Sequence, residues 1–430
     1  MEGPFRPVEH CTWSCVRTIE REARCVGPTG AQNRRGGAIL RYVTSTTRKQ
    51  VVRWRVRAHE LDREPPTTAE QHAPAGCALL DLGIQNTGPD GARWALCQRG
   101  YAVTPSVQTD DEEGGGTESD DGLALVWTLR GAPHYYRRRD LPAVAVATAP
   151  FSDADAAKRI FDANRPLKAA GITALDALRV VAREMRDIVR TPTVKGEVSA
   201  QLTARLPEPY LRFCRPCDAV HVYEQPFRLA ALHAGLALRP GTSPPVLERI
   251  AGWDIEPFAS GVRDPRFDVI RGYLHFYGPS DPKTVAAYLD APVRDVKAHW
   301  PADAQSVTVD GERRWMLADD IPLLLDSPET NNSVHLLGPF DPYLQLRDRG
   351  LLVPDAAHAK QLWPTLGRPG AITVDGEIVG VWRPRKAGRT LTVEVTPWTT
   401  LRGAARDGVT EQAQRLAGFR GLAAAEVRGL

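Results

Sequence analysis

Apolar and polar positions over residues 267–317 follow a pattern that predicts three helices and then a β-hairpin. Breaks rich in Gly, Pro and Asp separate the three helical patterns, and Asp310-Gly311 supplies a tight hairpin turn. Apolar residues recur in the second helix at the spacing that buries one face, namely Val285, Ala286 and Leu289. This order of elements is typical of a winged helix-turn-helix domain, whose third helix enters the major groove of DNA.

The third predicted helix carries basic side chains, among them Arg294, Lys297 and His299. Basic residues on a recognition helix favour contact with the phosphates of a duplex. We therefore expect Arg294 and Lys297 to contact DNA. Some winged helices bind only proteins, so a protein partner is the alternative interpretation of this domain.

The residues on both sides of this domain complete the prediction of an α+β fold. Ser152 and Thr173 stand where helix N-caps are expected, and the helices and extended residues that follow suggest a second winged helix. Alternation over 371–398 predicts a small antiparallel sheet, and an amphipathic pattern over 405–419 predicts a helix as the last element. The predicted divisions are a poorly ordered extension (1–48), a first winged-helix-like domain (49–150), a second (151–260) and a third winged helix (261–325), and a β-rich domain with a terminal helix (326–430).

Composition places the chain among ordinary soluble proteins. Its 430 residues are 42% hydrophobic and 25% charged, and the formal net charge is +3. The sequence contains neither an apolar run long enough for a membrane span nor a signal-peptide pattern, so we expect a cytoplasmic protein without a membrane partner. Seven cysteines without an export signal indicate reduced thiols.

One acidic segment makes the charge distribution uneven. Residues 110–121 hold seven carboxylates around three glycines, a composition that predicts a disordered loop within 109–121. The favoured interpretation is a solvated insertion, and the alternative is a phosphate mimic beside a DNA groove.

Three segments of the chain resemble bacterial winged-helix DNA-binding-domain proteins of the AlkZ type. They are LVWTLRGAPHYYRRRDL at 125–141, the run that begins VKGEVSAQLTARL at 194–253, and the run that begins LLGPFDPYLQLRDRG at 336–385. The resemblance extends over roughly residues 50–425. It implies tandem winged helix-turn-helix domains and a small C-terminal antiparallel β-barrel-like element, arranged as a C-shaped clamp around a duplex. Some members of this family are DNA glycosylases that excise bulky alkylated purines and unhook interstrand crosslinks.

The same resemblance points to candidate catalytic residues. In the family's active members a Gln, an apolar residue and then a Gln or Asp end a Gly-containing apolar segment, and they orient the water that attacks C1′. Here the matching segment is 82–87, in which Gln85 fits the first position and Thr87 stands at the second, with Asn86 in the middle. A Thr hydroxyl can accept a hydrogen bond from water, although it is not a base.

Basic residues after this segment are candidate DNA contacts. Arg130 and His134 lie near the family's RGTxH-like signature, where Arg130 would grip a phosphate and His134 would line the lesion pocket. The alternative is that both tie the strand end to a carboxylate. Arg137 and Arg138, in a run of three arginines, are either a phosphate clamp or a solvated edge. Lys195, at the start of a predicted helix, is a further candidate phosphate contact.

For two other groups of residues, a structural role is the favoured interpretation. Cys214, Cys217 and His221 have the spacing of a zinc half-site, but only three ligands are visible, so structural thiols are preferred and no metal is expected. Asp81 and Asp90 flank the Gln85 segment as cap or turn residues, with a carboxylate base as the alternative.

Two functions remain open from the sequence. The first is a monofunctional DNA glycosylase without metal or cofactor, which binds double-stranded DNA as a monomer in the nucleoid. The second is a non-catalytic winged-helix DNA-binding protein or transcriptional regulator. The position of Gln85 and Thr87 separates them, because excision requires both to face an open, DNA-sized cleft.

Overall fold

The computed structural model describes most of the chain after residue 43. The described residues are 44–63, 73–88, 91–103, 121–259, 261–328, 333–387 and 389–430. The predicted acidic loop lies outside them except for Asp121, and so does Asp90. Most of the predicted N-terminal extension also lies outside, but residues 44–48 form a strand and the start of a helix, which corrects the extension's predicted boundary.

Helices are distributed along the whole described chain. They are α1 (Arg48–Ala58), α2 (Gly91–Gln98), α3 (Leu141–Thr148), α4 (Asp153–Arg159), α5 (Asn164–Ala169), α6 (Ala174–Ile188), α7 (Lys195–Arg205), α8 (Glu224–Ala231), α9 (Val269–Tyr277), α10 (Pro282–Leu289), α11 (Val293–Ala298), α12 (Asp320–Leu325), α13 (Arg349–Leu352), α14 (Ala356–Leu362) and α15 (Ala404–Phe419). Within the described ranges, no helix has the length and apolar character needed to cross a membrane.

The strands of the described residues form four sheets. They are β1 (Thr44–Thr46), β2 (Ile84–Gln85), β3 (Leu123–Trp127), β4 (Pro133–Arg137), β5 (Thr193–Val194), β6 (Leu211–Cys214), β7 (Ala219–Val222), β8 (Leu236–Leu238), β9 (Val246–Arg249), β10 (Ala304–Val309), β11 (Glu312–Leu317), β12 (Val334–Leu337), β13 (Gly370–Val374), β14 (Glu377–Ala387), β15 (Thr390–Pro397) and β16 (Ala424–Arg428). The orders are β2-β4-β3-β8-β9-β5, β12-β13-β14-β15-β16, β1-β10-β11 and β6-β7.

Local hydrogen bonds explain where several helices begin. Ser152 and Thr173 accept bonds from backbone amides three residues on, as predicted for N-caps of α4 and α6. Asp281 caps α10 in the same way, and Thr47 forms a capping box with Gln50 at the start of α1. These short-range bonds satisfy amides that the first turn of a helix leaves unpaired.

Two stretches of the chain share one order of elements, and we call them the first region (174–249) and the second region (269–317). Each has a helix, an extended segment, two further helices and a hairpin. In the first region, β5 pairs with β9 of the hairpin. In the second region, Ser280 forms a bridge with Trp315 of the hairpin. The second region follows the predicted order, and the first differs by an inserted hairpin, β6-β7.

The C-terminal sheet has the predicted turn at Asp375-Gly376, but its last strand was not predicted. After α15 the chain adds β16, which pairs parallel with β15. The prediction of a helix as the last element is therefore wrong. A helix can serve as the crossover that returns the chain for parallel pairing, and the short polar sequence AAEVR gives little strand signal.

A tryptophan on α2, the helix after segment 82–87, connects this part of the chain to the C-terminal sheet, β12–β16. Trp94 on α2 is buried, donates a hydrogen bond of 2.7 Å from Nε1 to the Leu336 carbonyl, and packs against the Phe419 ring on α15. Directly after α2, Arg99 makes two hydrogen bonds of 2.9 Å to Asp341, and both side chains are fully buried. These contacts place α2 and the residue after it against the start of the C-terminal sheet.

Candidate functional site

Segment 82–87 is held against the β3-β4 hairpin by backbone contacts. Gly83 has a φ of +89°, and a Cβ there would overlap the Tyr136 ring, so only glycine fits. The Tyr136 hydroxyl donates to the Leu82 carbonyl at 3.1 Å. Gln85 is in register with His134 across the short β2-β4 pairing. The local sequence thus fixes the backbone from which the Gln85 side chain projects.

The next residue, Asn86, ends the strand and starts a helix. Its backbone amide donates to the Pro133 carbonyl at 2.8 Å, and its side-chain oxygen accepts from the Ala92 amide at 3.1 Å. The side chain therefore satisfies an unpaired amide in the first turn of α2. Asn86 has a structural reason to replace the apolar middle residue of the family pattern.

Gln85 and Thr87 form a polar pair. Gln85 Nε2 donates to Thr87 Oγ1 at 2.9 Å, and both residues are half-buried. Arg130 Nη2 reaches Gln85 Oε1 at the long distance of 3.5 Å. Because that bond is weak, Gln85 Oε1 retains capacity to accept a hydrogen bond from water.

Arg130 is oriented by the second region. Its guanidinium lies 4.5 Å from the centroid of the Tyr288 ring and donates from Nη1 to the Tyr288 carbonyl at 3.0 Å. Its backbone has a φ of +58°, a left-handed conformation that costs about 1–2 kcal/mol in a residue with a Cβ. Arg130 bonds the side-chain oxygen of Gln85 and the backbone carbonyl of Tyr288. The alternative interpretation, in which Arg130 pairs with a carboxylate, is therefore wrong.

His134 lies beneath this site and is not part of its surface. It is 2% exposed, and Nδ1 is 2.9 Å from the Ala132 carbonyl and 3.1 Å from Thr128 Oγ1. Burial and the nearby charge of Arg130 lower the pKa of His134 to about 3, so the ring is neutral and donates from Nδ1 to the carbonyl. This placement corrects the prediction that His134 contacts DNA, because the ring supports the turn from inside.

Arg137 is also a structural residue. Its buried guanidinium donates to the Ala75 and Cys77 carbonyls at 2.5 and 2.6 Å and pairs with Asp81 and Asp140. The prediction of a phosphate contact is corrected, because no face of this guanidinium is open to a ligand. Asp81 also pairs with Arg266, at 3.0 Å, so its carboxylate is not placed to act as a base.

The remaining predicted contacts differ in their exposure. Arg138 is exposed, and its guanidinium bonds the Leu123 carbonyl at 3.2 Å. Arg294 and Lys297 are exposed on α11, with Arg294 3.5 Å from Asp295, and their contact with DNA stays a prediction. Lys195 instead pairs with Glu224 at 2.9 Å, which corrects its prediction as an open phosphate contact.

A cleft of about 350 Å³ opens beside Thr87, within the range of ligand-binding pockets. Thr87 and Gly88 lie on one side of the cleft, and the C-terminal sheet with the loops before it lies on the other. Of the two candidate catalytic residues, Thr87 lines the cleft and Gln85 does not, so the expectation that both face it is met by Thr87 alone. Asp341 contributes to the lining, but both of its oxygens already accept from Arg99. The other wall is mainly apolar and basic: Gly338, Pro339, Phe340, Arg368, Pro369, Trp382, Arg383, Pro384 and Arg385.

Sequence reasoning missed an arginine cluster next to this cleft, which we define as Arg130, Arg347, Arg349 and Arg368. Burial, followed by repulsion from Arg347 and Arg130, lowers the pKa of Arg368, and burial with repulsion from Arg368 and Arg347 lowers that of Arg349. None of the four has a carboxylate within ion-pairing distance in the described chain.

Aromatic rings hold the cluster in place of acidic partners. Arg349 lies 4.9 Å from the Trp363 ring centroid, and Arg368 lies 5.1 Å from that of Phe340. Positive charges gathered without counter-ions are stabilised by a bound anion, and phosphate matches the guanidinium geometry. The spacing of these arginines along the chain gives no sign that they converge, so a sequence pattern could not have found them.

Comparisons with known proteins agree with this architecture. A family model described as DNA glycosylase AlkZ-like matches residues 81–419. Among solved structures, the Streptomyces sahachiroi DNA glycosylase AlkZ is similar, with a TM-score of 0.63 and 20% sequence identity, over 90% of this chain and 100% of that chain. At this identity the likeness shows a shared fold. No curated protein matches the sequence.

Proposed function

Because this chain belongs to the AlkZ-like DNA glycosylase family, we propose that it is a monofunctional DNA glycosylase that acts on double-stranded DNA. Its proposed substrates are bulky N7-alkylated purines or interstrand crosslinks. The observation that carries the proposal is the Gln85–Thr87 pair, with Thr87 in the wall of a basic cleft beside the arginine cluster. This arrangement combines water-positioning groups with cations that attract the backbone of DNA.

The proposed reaction needs a positioned water more than a strong base. Alkylation at N7 gives a purine positive charge, so the purine leaves as a neutral molecule when the C1′–N9 bond breaks. Gln85 Oε1 and Thr87 Oγ1 would accept hydrogen bonds from the water whose oxygen forms the new bond to C1′, and the proton of that water passes to solvent. Asp81, close in sequence to Gln85, and Asp341, in the cleft lining, are both engaged by arginines.

Phosphate contacts would come from two surfaces. The arginine cluster would bind the phosphates that flank the lesion, since its members lack acidic partners in the described chain. Arg294 and Lys297 on α11 and the exposed Arg138 would contact the duplex farther along. The first and second regions would then act as tandem winged helices of a C-shaped clamp, with the C-terminal sheet as its β-barrel-like end.

A non-catalytic DNA-binding protein is the second candidate function. The observation that favours it is Thr87, which offers a hydroxyl where the family pattern has a carboxamide or carboxylate. The phosphate-binding surfaces would serve this function equally well. Base release therefore decides between the two candidates.

The test is release of N7-methylguanine from alkylated duplex DNA, together with unhooking of a nitrogen-mustard crosslink. We expect the wild type to release base or unhook the crosslink and Gln85→Ala to lose about 100-fold or more in rate, as for other groups that act in the transition state. Gln201→Ala on α7, where the Gln201 side chain bonds Glu197, is the matched control and should keep the wild-type rate.

The outcomes separate the candidates. If the protein binds duplex DNA but neither releases base nor unhooks the crosslink above a buffer control, the non-catalytic function is the one that remains. Equal rates for Gln85→Ala and the wild type would remove Gln85 from the mechanism. A duplex affinity that does not fall as salt rises would contradict binding through phosphates.

A further inference from the structure

A second cluster of chemically reactive side chains lies on the inserted hairpin β6-β7 of the first region. Cys214 ends β6, a 3-10 turn spans Arg215–Cys217, and Asp218 takes a left-handed φ of +47° before β7 begins. This turn curls the Cys217 side chain back toward Cys214. His221, on β7, completes the group, which is remote in sequence from Gln85.

The three potential ligand atoms have the spacing of a metal site. The sulfurs of Cys214 and Cys217 and a ring nitrogen of His221 all lie within 4.8 Å of one another. A tetrahedral zinc ion with Zn–S bonds of about 2.3 Å requires its sulfur ligands to be about 3.8 Å apart. The group therefore needs only small side-chain adjustments to bind an ion at its centre.

The histidine presents a suitable nitrogen to such an ion. His221 Nδ1 lies 2.9 Å from the Val222 carbonyl, so that nitrogen carries the proton and donates it. The tautomer leaves the lone pair of Nε2 for a ligand, and a backbone carbonyl on the other nitrogen is the usual partner of a metal-binding histidine. Cys214 also accepts a hydrogen bond from the Cys217 amide, which keeps its sulfur within the turn that carries both thiols.

The base of the hairpin is anchored in the core through buried Val222, but its outer part has little else to stabilise it. β6 and β7 form a two-stranded sheet, a unit that depends on other contacts for stability. Phe213 and Val220 pair across the strands, yet they are 59% and 52% exposed and do not enter the core. A metal ion at the tip would close the hairpin by linking both strands and the turn between them.

We propose that Cys214, Cys217 and His221 bind one Zn²⁺ ion, with solvent as the fourth ligand. Two thiolates and an imidazole suit zinc among the divalent ions available to a cell. The proposal reverses the preference for structural thiols drawn from spacing alone, because the fold brings the histidine to both sulfurs. It is independent of the proposed glycosylase activity.

The ion would have a structural role that extends toward the candidate site. The hairpin is anchored by the Val222 amide, which donates to Thr203 Oγ1 on α7 at 3.2 Å. Directly after it, Glu224 pairs with Arg228, and Arg228 donates to the Gly131 carbonyl in the turn that carries Arg130. The zinc site would thus fix the hairpin from which α8 begins.

The test measures metal content in the full chain purified from zinc-supplemented cells. Elemental analysis of the wild type and of Cys214→Ser, Cys217→Ser and His221→Ala should show zinc in the wild type that each substitution removes. Cobalt titration of the metal-free protein should add a thiolate-to-cobalt charge-transfer band and visible bands of tetrahedral Co²⁺. We expect each substitution to weaken metal affinity by more than about tenfold. Cys97→Ser, at a half-buried free thiol elsewhere, is the matched control and should retain both signals.

Several results would overturn the proposal. One is metal content that is the same in the wild type and in all three site variants. Another is a mass spectrum that shows a Cys214–Cys217 disulfide in protein prepared under reducing conditions, together with no binding of cobalt by that protein. A loss of cobalt bands in Cys97→Ser equal to that in Cys214→Ser would also contradict it. Limited proteolysis gives a separate readout, since a chelator should increase cleavage within 211–222.

Discussion

The first and second regions have the same order of elements but use their third helices differently. In the second region, α11 is short and its basic residues Arg294 and Lys297 are exposed. In the first region, α8 is packed: Phe227 is fully buried with its ring 5.9 Å from that of Trp127, and Arg228 bonds the Gly131 carbonyl. One third helix thus has its basic side chains exposed to solvent, while the other supports the turn that carries Arg130.

This comparison shows what an order of elements can predict. Helix and hairpin spacing depends on neighbouring residues and is repeated in both regions. Whether the third helix faces solvent depends on what packs against it, and in the first region that is the β3-β4 hairpin, which forms one sheet with β8 and β9. A shared order of elements therefore leaves the third helix exposed in one region and packed in the other.

The largest expected effect is a loss of stability at the packed helix α8. Phe227→Ala should destabilise the protein by about 3–5 kcal/mol, because a fully buried aromatic ring leaves a cavity between α8 and β3. Val293→Ala on the exposed α11 is the matched control and should change stability by less than about 0.5 kcal/mol. Urea unfolding followed by circular dichroism measures both, and equal shifts would show that α8 is not packed as described.

A pH profile tests the buried interior of the first region. Burial lowers the pKa of His233 to about 3, and the ring stacks on Phe258 at 3.7 Å. The unfolded chain binds a proton on this residue below about pH 6.5 and the folded chain does not, so stability is lost as the pH falls from about 6.5 toward 3. Between about pH 7 and pH 5 the loss from this residue should be about 2 kcal/mol.

The variant for this profile is His233→Gln, which keeps an acceptor for the Phe258 amide but does not titrate. It should flatten the decline in thermal stability with acid, whereas His299→Gln, at the exposed residue that follows α11, should leave the wild-type curve unchanged. A decline of unchanged steepness in His233→Gln would assign the acid sensitivity to other groups.

The smallest expected effect compares an exposed lysine of the second region, on α11, with a paired lysine of the first region, on α7. Lys297→Ala should weaken duplex binding and reduce the slope of log affinity against log salt by about one, as for one lost phosphate contact. Lys195→Ala should leave the slope unchanged, because Lys195 is paired with Glu224 in the first region. Fluorescence anisotropy over a salt series measures both slopes, and a reversed order would place the duplex on the first region instead.

Much of the fold followed from the sequence because its signals are local. The caps at Ser152 and Thr173, the hairpin turn at Asp310-Gly311 and the order of elements in the second region are as predicted. The placement of the charged residues did not follow. Arg137 was predicted to bind phosphate as part of an arginine run, but the fold surrounds it with carbonyls from about sixty residues earlier in the chain.

By itself, the sequence determined the local geometry of the candidate site. Gly83 permits the backbone turn, Asn86 caps α2, and the spacing of Cys214 and Cys217 sets the tight turn between β6 and β7, since each depends on residues close along the chain. Only the tertiary structure decided which charges remain unpaired. Long arginine side chains find partners across large sequence separations, as Arg99 finds Asp341 242 residues away, so exposure, pairing and the cleft beside Thr87 arise when distant elements pack.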